Sequence, residues 1–193
     1  LQRDIRQAGY GFNALNVLGC PLTLPATASP LTQLAPVVIN PTDFPAGDTD
    51  TDTLLIIYGS SEGSPEGDAI TLVAGSQLGV LTPTNFHVNT LHPELSDHVI
   101  AAPSAATNGC DLSLVTITAV SPPNVTAASS GGVDGGYLFN LGATPRILAY
   151  AVRAGNLTVC DYIAADCGAA CTAADGTCSA NWVPIANNIV SLR

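Results

Sequence analysis

Glycine and proline are spread along almost the whole sequence and cut every apolar run short. The chain contains 18 glycines and 14 prolines. Glycine destabilises helix interiors, and proline lacks the backbone N–H that a helix or a central strand needs. The pattern therefore predicts short strands joined by turns, with no long helix beyond the first residues.

The apolar content indicates a folded chain. Hydrophobic residues make up 47% of the 193 residues and charged residues only 10%, unlike the highly charged composition of disordered segments. A chain of this length is within the usual size of one domain, so we expect one domain. No apolar stretch approaches about 18 residues, the length that a membrane-spanning helix needs.

The first residues have the pattern of an amphipathic helix. Leu1, Ile5, Ala8 and Phe12 recur at helical spacing, opposite the charged residues of the segment. Because the sequence contains no Met and opens within this pattern, we expect that a preceding part of the helix has been removed. We expect the remaining helix to cover residues 1–18 and to end at the turn that follows.

Strand-like segments follow a proline-rich connection over residues 21–52. This connection permits a short edge strand at 37–39. Beyond it, runs rich in β-branched and aromatic residues are bounded by turn residues. The predicted strands are 54–58, 69–73, 86–91, 112–120, 137–141, 147–153, 157–160 and 185–192. Their spacing predicts antiparallel sheet.

The charge balance argues against nucleic acid as a direct partner. All five basic residues are arginines, and fifteen acids bring the net charge to -10. Without a basic stripe, such a chain repels phosphate backbones.

Six cysteines indicate an oxidising compartment such as the periplasm, because an even count suits disulfides. They are Cys20, Cys110, Cys160, Cys167, Cys171 and Cys178. The last four are zinc-ligand candidates as well, but they lack the paired C-x-x-C spacing of such sites. Six cysteines can pair in many ways; we expect the last four to pair among themselves, leaving Cys20 and Cys110 for each other.

Segments in order along the chain resemble one protein family. Residues 1–12, LQRDIRQAGYGF, are similar to the stretch that follows the transmembrane helix in minor pilins of type IV pili. Residues 52–59 (DTLLIIYG), 109–112 (GCDL) with 115–116 (VT), and 185–192 (IANNIVSL) resemble later segments of the same family. The chain is thus identified as similar to PilW-type minor pilins, which are related to the J-type pseudopilins of type II secretion.

This resemblance implies an α+β, pilin-like fold. The C-terminal part of a long N-terminal helix, residues 1–18, would pack on the antiparallel sheet of a β-rich head, residues 19–193. The head would be rich in loops and disulfide-bonded. The transmembrane part of the helix would precede residue 1 and provide the chain's contact with the membrane.

The resemblance also implies a structural subunit that is not an enzyme and needs no cofactor. A leader peptidase trims such precursors, whose N-terminus is methylated, and the subunit moves from the inner membrane and periplasm to the extracellular pilus. Its partners would be other minor and major pilins and a tip adhesin, docked through the stripe of Leu1, Ile5, Ala8 and Phe12. It would prime pilus assembly near the tip, with consequences for twitching motility and cell adhesion.

Three other filament functions remain open at this point. The subunit could be a tip adhesin, a competence-type subunit for DNA uptake, or a type II secretion pseudopilin.

One motif suggests a secreted serine hydrolase as a further alternative. Residues 59–63, GSSEG, fit the G-x-S-x-G nucleophile elbow with Ser61 as nucleophile, and they follow a predicted strand. An elbow leads into a helix, whereas Ser64, Pro65 and Gly67 lead into another predicted strand. A hairpin loop is therefore expected here.

Asp48, Asp50 and Asp52 alternate like the first ligands of a calcium loop. The sixth position holds Thr53 instead of glycine, and Gly59 stands where an acid should close the loop. We therefore expect no EF-hand, and the alternatives are an irregular calcium site or solvated acids.

His87, His92 and His98 cluster with Glu94 and Asp97, a set of side chains that zinc accepts. His87 falls on a predicted strand and His92 in a proline-containing turn. We therefore do not expect the three rings to converge.

Overall fold

The structure is a computed structural model that describes residues 1–12, 14–25, 29–61, 63–103, 110–128, 135–171, 178 and 180–192. Within these residues it has one short α-helix and twelve strands. In chain order they are α1 (Gln2–Gln7), β1 (Leu22–Thr23), β2 (Val37–Ile39), β3 (Leu54–Tyr58), β4 (Asp68–Ala74), β5 (Gln77–Val80), β6 (His98–Ala102), β7 (Leu112–Ser121), β8 (Asn124–Ala127), β9 (Tyr137–Gly142), β10 (Arg146–Arg153), β11 (Asn156–Asp161) and β12 (Val183–Asn187). Single 3₁₀ turns at Pro83–Asn85 and Pro93–Leu95 precede β6.

Six strands close into a barrel. Their order is β7-β6-β9-β4-β5-β8, and β8 pairs back with β7 to complete the ring. The barrel interior is apolar and contains the side chains of Ile70, Leu78, Phe86, Val99, Val115, Ile117, Val125 and Leu138. Closure leaves these six strands with few unpaired edges.

A second, five-stranded antiparallel sheet packs on the outside of the barrel. Its order is β12-β11-β10-β3-β2. Alternate residues of its central strands face opposite ways, as strand geometry requires. Leu55 and Ile147 join barrel residues such as Ile100 in the main core, whereas Ile56 and Leu148 form a small cluster with residues beside α1. The order of the layers is therefore helix, sheet and barrel.

The expected α+β pilin-like fold is wrong, because the chain is nearly all β and includes a closed barrel. The helix is also much shorter than the expected 1–18, since α1 ends at Gln7. Across the described residues, no helix is long and apolar enough to cross a membrane.

Two glycines explain why the helix stops early. Gly9 has φ +81° and Gly11 has φ +92°, which are left-handed conformations that other residues rarely adopt. The turn they form bonds to the sheet, because Gly9 N–H donates to Ile57 O at 2.8 Å and Gly59 N–H donates to Tyr10 O at 2.7 Å. These bonds to the sheet replace those that a continuing helix would make.

A parallel strand pair places Cys20 beside Cys110. Leu22 of β1 lies opposite Leu112 of β7, and each cysteine comes two residues before its strand residue. The two cysteines are bonded, with their Cα atoms 5.0 Å apart. Gly109, which belongs to the family-like GCDL segment, lies outside the described residues.

A buried arginine holds the C-terminal region against an N-terminal loop. Arg153 ends β10, and its guanidinium carbon lies 4.3 Å from the ring centroid of Trp182. It donates to the carbonyl oxygens of Ala46 at 2.9 Å and Pro45 at 2.6 Å. Burial lowers the pKa of Arg153, and the nearby charge of Asp48 partly opposes that shift.

Candidate functional site

Asp4 anchors the helix to the outer face of the sheet. Its two carboxylate oxygens accept hydrogen bonds from Tyr58 OH at 2.8 Å and from Tyr150 OH at 2.7 Å. Tyr58 pairs with Arg146, and Tyr150 lies four residues further along β10, so the two phenols come from different points on neighbouring strands.

These contacts shift the acidities of the three groups. Burial alone would raise the pKa of Asp4, but hydrogen bonds, first among them the one from Tyr150, outweigh it and lower that pKa to about 2. Burial and the bond to Asp4 raise the pKa of Tyr58 to about 12 and raise the pKa of Tyr150 as well. Near neutral pH the site is therefore a carboxylate held by two neutral phenols.

A groove of about 1130 Å³ lies beside this anchored helix. Five parts of the chain form its walls: α1, the turn at residues 8–12, Pro36 before β2, the end of β3 with the loop that follows it, and the start of β10 with the preceding loop. The apolar part of the lining includes Ala8, Tyr10 and Pro36, and hydroxyl groups come from Ser60, Ser61 and Thr144. Tyr10 is 48% exposed, so a partner in the groove would contact its ring.

Three of the five arginines of this acidic chain line the groove. Arg146 donates to Asp161 Oδ2 at 2.7 Å. Arg3 and Arg6 are exposed, and within the described residues neither has a carboxylate within ion-pair distance. The groove is thus a local basic surface on a chain of net charge -10.

The predicted docking stripe is divided in the structure. Leu1 and Ala8 pack beside the cluster under α1. Ile5 points away and is 47% exposed, whereas Phe12 lies beyond the helix and is buried in the main core. The early end of α1 explains the position of Phe12, because residue 12 no longer follows helical spacing. The exposed residues of α1 are Gln2, Arg3, Ile5, Arg6 and Gln7.

The calcium candidates have other partners. Asp48 accepts hydrogen bonds from Ala154 N–H at 2.9 Å and Gly155 N–H at 2.8 Å, so it caps the β10–β11 hairpin. Asp52 accepts from Asn40 Nδ2 at 2.8 Å, and Asp50 adopts φ +62°. Over the described ranges, no group of three or more His, Cys, Asp or Glu side chains is placed to hold a metal ion.

The three histidines do not converge. His87 Nδ1 lies 3.5 Å from Asp97 Oδ2, and His92 Nδ1 lies 3.1 Å from Glu94 Oε1 at the surface. His98 begins β6, and burial lowers its pKa. The Phe86–Leu91 segment, predicted as a strand, is irregular instead.

Asp97 has a structural role in this region. Its Oδ2 accepts from His87 N–H and from Asn140 Nδ2, both at 2.8 Å. Asn140 also donates to Asn85 O at 2.6 Å. Because Asp97 and Asn140 are both buried, these bonds join the 3₁₀ region to the barrel.

Ser61 lies in the turn between β3 and β4. Its Oγ accepts a hydrogen bond from Gly63 N–H at 3.0 Å, and Glu62 of the motif lies outside the described residues. The chain then turns at residues 64–67 and enters β4. The helix that should follow a nucleophile elbow is a strand here.

The prediction of disulfide bonding is confirmed. Besides the Cys20–Cys110 bond, the structure joins Cys160 to Cys167 and Cys171 to Cys178. All four sulfurs of the proposed zinc alternative are therefore bonded to each other in pairs. The loop within the last pair, residues 172–177, lies outside the described residues.

The tyrosines that hold Asp4 were not predicted from the sequence. A signal was present, because Tyr58 and Tyr150 fall on predicted strands at positions that share a face with Ile56 and Leu148. An aspartate within the amphipathic segment is the matching acceptor. Pairing them required the registers of β3 and β10, which strand prediction does not supply.

Comparison with known proteins returned no match: no family model, no curated protein and no solved structure matches this chain. Function is therefore inferred from the anchored helix, the groove and the disulfides.

Proposed function

We propose that this chain is a non-enzymatic subunit of an extracellular filament, a minor pilin of type IV pilus assembly, which docks to other pilins through α1 and the groove beside it. The observation that carries the proposal is the anchoring of α1 by Asp4. The two bonds from Tyr58 and Tyr150 fix the helix on the sheet. Arg3, Ile5 and Arg6 are thereby left exposed.

Two further features support this proposal. Three disulfides suit a protein that works in the periplasm and then outside the cell. An exposed arginine pair beside Ile5 and Tyr10 has the mixed character of a docking surface, since arginine and tyrosine are enriched at protein interfaces. The barrel differs from the expected head, but docking through the N-terminal segment does not depend on the architecture of the head.

The test is deletion of the gene from the source bacterium, followed by electron microscopy of the cell surface. Loss of pili, restored by a plasmid copy, is the expected result, together with recovery of other pilins on the tagged chain. Normal pili with lost surface attachment would contradict an assembly role and indicate a tip adhesin.

The hydrolase alternative has its own test. Ser61→Ala should restore pili as well as the wild-type chain does, because Ser61 Oγ is engaged in a turn contact with Gly63 N–H. An esterase activity of the purified chain that disappears in Ser61→Ala would contradict the non-enzymatic proposal.

A further inference from the structure

The groove beside α1 concentrates positive charge on an acidic chain. We propose that it binds an acidic peptide segment of a neighbouring subunit, whose carboxylates pair with Arg3 and Arg6. This inference rests on the proposed docking function and specifies the chemistry of the docked surface.

The two arginines are placed to act together. Arg3 and Arg6 are three residues apart on α1, so their side chains lie on neighbouring positions of one helix face. Both are exposed, and the described residues offer neither of them a carboxylate partner. Asp4, between them in sequence, is turned toward Tyr58 and Tyr150. Its carboxylate therefore does not form an ion pair with either arginine.

The size and lining of the groove suit a peptide. At about 1130 Å³ it exceeds the roughly 300–1,000 Å³ of small-molecule pockets. Its lining combines the Tyr10 ring and Pro36 with hydroxyl groups of Ser60 and Thr144. A peptide segment presents apolar, polar and charged groups side by side, and guanidinium groups bind its carboxylates in a bidentate geometry.

The charge of the whole chain favours a short acidic segment over a nucleic acid. A long phosphate backbone would extend beyond the groove and meet a surface that gives the chain its net charge of -10. A short peptide stays close to the arginines, and more distant charges are screened beyond a Debye length of about 8 Å in physiological salt.

The experiment measures fluorescence anisotropy of a labelled hexaglutamate peptide with the purified full chain. The test variant is Arg3→Gln with Arg6→Gln, which lowers the net charge by two. The matched control is Gln77→Glu with Asn187→Asp, which makes the same charge change at exposed positions in β5 and β12. We expect about 10-fold weaker binding in the arginine variant and less than about 2-fold change in the control.

Two further arms use the unmodified chain, so the test does not depend on how a variant folds. Binding should weaken as NaCl is raised, and a labelled hexaglutamine peptide should not bind. Equal loss in both variants, equal binding of hexaglutamine, or tighter binding of a single-stranded DNA oligonucleotide would each overturn the inference.

Failure here can be separated from failure of the proposed function. If deletion of the gene abolishes pili but hexaglutamate does not bind, the proposed role in pilus assembly is supported. The inference that the groove binds an acidic peptide is then contradicted. If hexaglutamate binds through the arginines but deletion leaves pili intact, the inference that the groove binds an acidic peptide is supported. The proposed role in pilus assembly is then contradicted.

Discussion

Tyr58 of β3, in the outer sheet, donates its phenol hydrogen to Asp4 of α1, with an O···O distance of 2.8 Å. Tyr150 donates to the other oxygen of the same carboxylate. A helix of six residues is too short to be stable alone. The position of α1, and of the basic groove beside it, therefore depends on contacts with the sheet, of which this three-residue contact is one.

Removing the charge of Asp4 should destabilise the fold. Asp4→Asn keeps the shape but loses the charge-assisted bonds to two phenols, which we expect to cost about 1–2 kcal/mol of unfolding free energy. Urea denaturation at pH 7 measures this change. Glu66→Gln is the control, because Glu66 is exposed, and it should change the unfolding free energy by less than about 0.5 kcal/mol. Equal effects of the two substitutions would contradict the anchoring role.

The contribution of Asp4 should depend on pH in a defined window. Its pKa is lowered from 3.8 to about 2 in the folded chain, so its stabilisation is present above about pH 4 and is lost as the pH falls toward 2. The pKa of Tyr58 is raised from 10.0 to about 12, so its stabilisation is lost as the pH rises from 10 toward 12. The difference in unfolding free energy between wild type and Asp4→Asn should be constant between these limits and shrink outside them. A difference that persists unchanged at pH 2 would contradict the assignment.

The three disulfides should contribute unequally to the free energy of unfolding. Cys20 and Cys110 close a loop with a sequence separation of 90, whereas the separation is 7 for Cys160 and Cys167. Chain entropy gives about 4–5 kcal/mol for the longer loop and about 2 kcal/mol for the shorter one. Paired replacements by Ala, compared by urea denaturation, should therefore differ by roughly a factor of two. A larger loss of unfolding free energy on removal of the Cys160–Cys167 bond than of the Cys20–Cys110 bond would contradict this ranking.

Arg153 should not be replaceable by lysine. Its guanidinium contacts the ring of Trp182 and donates to two carbonyl oxygens at once, a geometry that one ammonium group cannot reproduce. We expect Arg153→Lys to cost about 2 kcal/mol and to change the emission of Trp182, the one tryptophan of the chain. Arg146→Lys is the control, because Arg146 is half-exposed and its pair with Asp161 survives the substitution. Unchanged emission in Arg153→Lys would contradict the stacking role.

Much of the strand content could be predicted from local sequence. The predicted strands at 37–39 and 54–58 match β2 and β3 residue for residue, and 147–153 matches β10 to within one residue. These segments combine β-branched residues with clear boundaries. Strand β6 was missed, because His98 and two alanines weaken its pattern.

The overall architecture could not be predicted in the same way. Barrel closure depends on pairing of β4 with β9 and of β5 with β8, and these contacts join residues far apart in sequence. The helix was predicted too long because apolar spacing continues to Phe12, whereas the backbone at Gly9 turns to bond with Ile57. Tertiary hydrogen bonds there outweigh helical periodicity.

Docking through the N-terminal segment stays a prediction. The structure leaves residues of that segment exposed. These exposed residues differ from the expected stripe, because Phe12 is buried in the main core and Arg3 and Arg6 are exposed. Asp4 and its two tyrosines could be paired only after the strand registers were known.

The most direct test of docking through α1 and the groove is site-specific photo-cross-linking in the source bacterium. A photoreactive phenylalanine replaces Tyr10 in the groove or, as the control, Leu72 on the barrel; both positions are exposed. We predict that position 10, but not position 72, cross-links to a pilin subunit, identified by mass spectrometry of the adduct. Pilin adducts from position 72 alone, or none from position 10 in cells that assemble pili, would contradict it.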